Sequence, residues 1–493
     1  MTSHNPGRRQ LLRQSVSAMA ALSLGPRLAR AAAPPANRLF VGALVEPADM
    51  YETGIANALD AMQTQVGINT VMTFTHTHTA RQYRPKQAVA RDKTGRALTE
   101  VWVKTNAKYY ANPAFVGKDP ATLYADRDIL DELVEAAKPR RMQVYARILE
   151  PYVITGAIPG FEAFAQTDAD GHKTNQLCFN KPGYIRYWES VINDLVRGHQ
   201  ALDGFKFGQE RAAPLLGTLG KETAATCFCS DCVALARQRH IDAKRAKQGL
   251  KALQKLGADI RAGHRPIDGN FVSFLRVLTN YPEVLAWERL WMDSREAQRK
   301  RIFRQIKRIN PKVQVGWHID HGMTWDLFMR ATWNYAEMAE HSDWLSVAVY
   351  FDSMGRRSQG HYERNYQSIL FGDAPESLSY PMYLSMLGYD PKVEPTLDQH
   401  RKHDTAFSAD YVYRESRRAV QAVAGKAKVY VRPGFDMPGY NCDVQPKQVY
   451  DAATKALKAG ADGLWCGREW KELQAKNAEA FGNAVRDWIK KRA

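Results

Sequence analysis

Cysteine is scarce in this chain, six among 493 residues, too few for a scaffold stapled by disulfides. Long apolar runs are scarcer still. After residue 24 no stretch approaches the roughly 18 to 20 uncharged apolar residues that a membrane-spanning helix needs. No glycine-rich phosphate loop follows the first strand-like run, which argues against an open doubly wound nucleotide-binding sheet. No internal repeat and no Pro/Gly/Ser linker divides the chain. Its length is therefore read as one elaborated unit, which α/β barrels with insertions allow.

What is there begins with a targeting pattern. Arg8-Arg9 stands before the apolar run Leu11 to Leu24, and small residues follow. The segment Gly7-Arg8-Arg9-Gln10-Leu11-Leu12-Arg13 resembles a twin-arginine export signal, and Ala29 to Pro34 offers Ala-x-Ala cleavage sites. The expectation is a signal over residues 1–33 and a mature chain 34–493 that is periplasmic or secreted and free of membrane once the signal is removed. The signal holds five arginines and no acid, so its removal takes the formal charge from +17 to +12. A surface that basic admits an anionic substrate but decides nothing about the fold.

Eight short β-branched or apolar runs, each followed by a polar loop and a helical stretch, recur along the chain. They are Leu39 to Val45, Ile68 to Phe74, Gln143 to Leu149, Gly204 to Gly208, Val313 to Trp317, Trp344 to Tyr350, Lys428 to Arg432 and Gly463 to Cys466. Strands alternating with helices in eight units point to an α/β fold, a closed (β/α)8 TIM barrel. The charged stretch at about 221–280, with an exposed basic helix in Lys244 to Arg265, reads as a helical insertion after strand 4. Barrel chemistry sits at the carboxyl ends of the strands, and the residues there form the candidate list.

Strand four ends Gln209-Glu210-Arg211. A glycosidase needs one carboxylic acid to protonate the leaving oxygen and a second carboxylate as nucleophile or base, because a sugar leaves poorly unprotonated. Glu210 suits the first role; an ion pair with Arg211 or Lys206 is its alternative. Asp436, Asp352 and Asp320 compete for the second role, with Glu150 and Glu469 also at strand ends. Gln209 and His318 are read as hydrogen-bonding sugar hydroxyls, and Trp317 and Trp465 as stacking platforms. Arg432 and Arg468 either fix a carboxylate or hold an anionic sugar group; pairing with Asp436 and Glu469 is the alternative.

Cys227-x-Cys229-x-x-Cys232 follows Glu210, and Cys178 precedes strand four. Four thiolates suit one tetrahedral, structural zinc; a disulfide formed after export is the alternative. Cys178 through Asn180-x-Pro182-x-Tyr184, the Gln209-Glu210 pair and Cys227-Phe-Cys229-Ser-Asp-Cys232 together resemble clan A glycoside hydrolase barrels of the family-42 β-galactosidase type. The resemblance covers about Asp168 to Cys232. It implies zinc on these four cysteines and an acid/base at Glu210. The chain departs from that pattern at Gln209, where asparagine is usual, and at strand seven, where Val431 to Asp436 offers no glutamate.

The function expected is an exported glycoside hydrolase cleaving an oligo- or polysaccharide. Its rivals are a non-catalytic carbohydrate-binding barrel and a metal-dependent hydrolase using His76, His78, His318 and His321. Nucleic acid is not an expected partner, because the cysteine spacing is tighter than that of a zinc finger.

Overall fold

Strands form where β-branched and aromatic residues recur between polar loops. The computed structural model describes residues 38–77, 100–116, 126–150, 154, 158–220, 225–403, 405–437 and 442–492. Its barrel strands are β1 (Phe40–Val45), β2 (Thr70–Thr77), β3 (Gln143–Leu149), β4 (Gly204–Gly208), β5 (Gln314–Ile319), β6 (Trp344–Val349), β7 (Lys428–Pro433) and β8 (Gly463–Glu469). Consecutive strands pair in parallel, and β1 also pairs with β8, closing a (β/α)8 barrel. β2 and β8 each run three residues past their expected ends and so carry His76 and Glu469 within the strands. The expected signal, His78 and part of the 221–280 segment lie outside the described residues.

The alternation of side chains along a strand sorts the core into two clusters. Phe40, Leu44, Met72, Phe74, Tyr145, Leu149, Trp344, Tyr430 and Trp465 fill the barrel interior. Their bulk fits because glycines face them. A Cβ on Gly316 would lie 2.2 Å from Trp344, and one on Gly42 would lie 2.4 Å from Trp465. The opposite faces, with Val71, Val144, Phe207, Trp317, Val347 and Val431, join the larger core under the helices.

Helices follow from apolar stripes at helical spacing and from their caps. Asp128 accepts from the amides of Leu130 and Asp131 to start the helix Ile129–Ala137, as an N-cap does. After β3, α1 (Pro182–Gly198) carries proline in its first turn. Between β4 and β5 the chain passes through α2 (Ala243–Arg261), which was expected as an exposed basic helix. It keeps Lys244, Lys251 and Lys255 exposed and buries Ala246, Leu250 and Leu253 along one side. The long α3 (Glu283–Ile309) then returns along α1, with Gln305 donating to the Glu189 carbonyl at 2.7 Å.

Candidate active site and thiol cluster

Inward-facing positions near the carboxyl ends of the strands are polar where those below are aromatic. On β4, Lys206 points in and donates to Ser346 Oγ at 3.1 Å, and burial pushes its amine well below the usual lysine range. Four residues on, Glu210 meets His318 of β5, whose Nε2 lies 3.1 Å from Oε1. The His318 side chain is 1% exposed and that of Glu210 24%. Burial, followed by the nearby charge of Lys206 and Arg147, pushes His318 down to about 3, so the imidazole is neutral. Burial alone would lift the Glu210 carboxyl. The contact with His318, followed by the fields of His321 and Arg147, outweighs that and holds it well below the usual carboxylate range.

Asp320, just past β5, behaves in the opposite way. Its Oδ1 accepts from the Gly322 amide at 2.7 Å and caps the short helical turn His321–Thr324. Burial and then the charge of Glu210 push its carboxyl up to about 6. Asp352, at the end of β6, spends its oxygens on backbone amides, Ser353 at 2.6 Å and Met437 at 2.9 Å. It ties the turn after β6 to the segment after β7, and burial raises its carboxyl too.

Strands β6 to β8 contribute guanidiniums. Glu469 lies 3.7 to 3.9 Å from Arg468, Arg432 and Arg147. Tyr350 stands among Arg432, Arg468 and Arg357. Arg147 and Arg357 were absent from the expected set. A charged residue in the middle of the apolar run Gln143 to Leu149 is the signal that marks Arg147.

Five expected site residues are engaged elsewhere. Gln209 is fully buried on the helix side, donating to Gln298 at 2.7 Å and accepting from Arg299 at 3.0 Å; if Glu210 faces inward, its neighbour must face out. Trp317 points the same way, its indole N–H on the His341 carbonyl at 2.9 Å. Trp465 faces inward but lies in the aromatic interior cluster, packed edge-on to Phe40. Asp436 adopts positive φ and accepts from the Gln474 amide, Gln474 Nε2 and Asn477 Nδ2 at 2.8 to 2.9 Å. It pins the last helix, so among the described residues β7 itself brings no carboxylate to the mouth. Glu150 is locked to Arg211, with Nη2 at 2.7 Å and Nε at 3.2 Å, and also accepts from Tyr184. Arg211 therefore pairs with Glu150 and not with Glu210.

The four cysteines converge. Cys178 Sγ lies 3.7 Å from Cys229 and 3.5 Å from Cys232, and with Cys227 all four sulfurs lie within 4.8 Å of one another, buried. Zinc–thiolate bonds of about 2.3 Å set tetrahedral ligands about 3.8 Å apart, whereas a disulfide needs about 2.05 Å. The spacing fits a shared ion. Mutual hydrogen bonds push the Cys178 and Cys232 thiols up and those of Cys227 and Cys229 down, so four thiolates require a cation. Among the described residues the only other close ligand set is Asp128, Asp131 and His199, where His199 Nε2 meets the capping aspartate at 3.0 Å. The described histidines of the barrel mouth form no such set.

No family model and no curated protein matches the sequence. Solved structures do. The β-galactosidase of the psychrophilic Marinomonas ef1 superposes with a TM-score of 0.50 at 12% identity, over 92% of this chain and 60% of that one. The likeness is one of fold. The β-galactosidase of the Antarctic haloarchaeon Halorubrum lacusprofundi gives 0.48 at 14% identity, over 91% and 58%. The glycoside hydrolase domain of PgaB (BpsB) from Bordetella bronchiseptica gives 0.42 at 13%, over 87% and 93%. This chain spans about 60% of the length of the two β-galactosidases. The barrel resemblance drawn from the cysteine and Gln-Glu motifs thus holds for the architecture.

Proposed function

We propose that this chain is an exported glycoside hydrolase that cleaves an oligo- or polysaccharide with Glu210 and Asp320 as its carboxyl pair. The observation that carries the reading is their divergence. Glu210 is held ionised beside His318, while Asp320 keeps its proton up to about pH 6. Two carboxyls whose surroundings push their proton affinities apart are what an acid and a base need at one pH. Asp320 gives its proton to the glycosidic oxygen as the C–O bond breaks, and Glu210 acts on the opposite side as base or nucleophile toward the oxocarbenium-like carbon. This exchanges the roles expected from the sequence, where Glu210 was the acid. His318 holds the Glu210 carboxylate in place, and Arg147 is among the neighbours that keep it ionised.

Zinc on Cys178, Cys227, Cys229 and Cys232 is part of the proposal, in a structural role. A closed four-thiolate ion would stiffen the segment after β4 that follows Glu210 and takes no part in proton transfer. Export rests on the order of basic, apolar and small residues in 1–33, and a periplasmic or secreted location follows from it.

The test is product release from a panel of neutral and acidic polysaccharides and aryl glycosides, comparing the mature protein with Glu210→Gln and Asp320→Asn. Each variant is expected to lose about 10²- to 10⁴-fold in rate without a fall in melting temperature. Turnover that survives in both would remove the pair from the mechanism. A second reading, a carbohydrate-binding barrel without turnover, is favoured by the outward-turned Asp436. Retention of polysaccharide with no product from any substrate would support it.

A further inference from the structure

The β6 to β8 side of the mouth holds more positive charge than its carboxylates neutralise. Arg432 spends Nε on the Gly467 carbonyl at 2.7 Å and Nη1 on the Tyr350 hydroxyl at 3.3 Å. Its Nη2 is buried with no hydrogen-bond partner, in a residue only 2% exposed. Arg468 has a buried Nε in the same condition, while its side chain is still 16% exposed. The nearest carboxylate, Glu469, stands 3.8 and 3.7 Å from these two guanidiniums and 3.9 Å from that of Arg147. It is at ion-pair distance from all three and cannot neutralise all of them. Burial, and for Glu472 also the Glu469 charge, pushes the neighbouring Asp352 and Glu472 carboxyls up, Glu472 to about 8. They offset little of the excess at neutral pH. Buried guanidinium N–H groups left without acceptors are costly, and a planar two-oxygen anion is the acceptor that matches a guanidinium edge.

We propose that Arg432 and Arg468, with Tyr350 between them, form a subsite for the carboxylate of a hexuronate residue, so that the substrate is a uronate-bearing saccharide. The proposal rests on reading the mouth as a carbohydrate site. The sugar carrying the carboxylate lies against β6 to β8, with the bond to be cleaved toward Glu210 and Asp320 on β4 and β5.

The experiment titrates the mature protein, in Glu210→Gln form so that nothing is consumed, by calorimetry. The probes are galacturonate, glucuronate and mannuronate oligosaccharides, each against its neutral counterpart of equal length. At least one uronate is expected to bind about tenfold or more tightly than its neutral partner. That preference should weaken with salt, collapse in Arg468→Gln and return in part in Arg468→Lys. No preference in any pair, or a preference that survives Arg468→Gln, overturns the subsite, as does equal binding of a sulfated oligosaccharide of the same charge. The two proposals fail separately. Selective uronate binding with no hydrolysis by the unsubstituted protein leaves the subsite and removes the hydrolase, whereas hydrolysis of neutral sugars without preference does the reverse.

Discussion

An aspartate that keeps its proton to about pH 6 in the folded state destabilises the fold above that pH, because the unfolded chain ionises it near 3.8. The stability Asp320 contributes is complete below the unfolded value and is lost as pH rises through about 6. The size of the loss is on the order of 3 kcal/mol. Asp320→Asn keeps an oxygen to cap Gly322 but cannot ionise. It is expected to be more stable than the unsubstituted protein at pH 8, by up to about 3 kcal/mol in denaturant unfolding, and equal to it near pH 4. A difference flat in pH would mean that Asp320 is not the raised group. Turnover, which needs the protonated form, is expected to fall as pH rises through about 6. His318, neutral down to about 3, should not limit the acid side above that pH. At this scale the sequence was informative about which residues stand at strand ends and poor about which way they point. Glu210, His318 and Asp320 share the inward parity. Gln209 and Trp317 are one residue out of phase with it and were misread for that reason.

One guanidinium links two strands to the thiol cluster. From the end of β4, Arg211 reaches Glu150 at the end of β3, donates to the Leu177 carbonyl and lies 3.8 Å over the Phe179 ring. Leu177 and Phe179 flank Cys178, so the buried pair and the four thiols hold the same segment. Breaking a buried pair from one side leaves the other charge uncompensated. Glu150→Ala is expected to cost about 3–5 kcal/mol in denaturant unfolding, and to lower zinc retained per chain by elemental analysis. Cys232→Ser should lower zinc content more, with a fall in melting temperature. Because both act on one element, the double variant is expected to be less destabilised than the sum of the singles. Strict additivity would show that the ion pair and the cluster are independent. The cysteine spacing made the cluster legible from sequence. The Glu150–Arg211 pair was not, because it joins side chains 61 positions apart whose meeting depends on β3 and β4 being neighbours.

Across the whole molecule, the eight strands were legible because each is a local run of β-branched and aromatic residues between polar loops. Depth along the barrel axis was not, since it is set by the register each strand takes against partners distant in sequence. Trp465 illustrates this. Its parity is inward, but its register against Gly42 of β1 puts it in the aromatic plug and not where a sugar would stack. Asp436 fails for another reason, lying beyond the end of β7 where alternation no longer governs direction. The plug makes its own expectation. Trp344 occupies the space that a side chain on Gly316 of β5 would need, with ring atoms 2.2 Å from an added Cβ. Trp344 is itself walled in by Tyr145, Tyr430 and Trp465, so it cannot move aside cheaply. Gly316→Ala is expected to cost about 1–3 kcal/mol, the usual penalty of overpacking. Gly198, the last residue of α1, has nothing within 4 Å of an added Cβ. Gly198→Ala should be neutral or stabilising by up to about 1 kcal/mol, through lost freedom of the unfolded chain. Denaturant unfolding of the two variants side by side checks this, and equal stabilities would mean that the interior packs more loosely than its aromatic contacts imply.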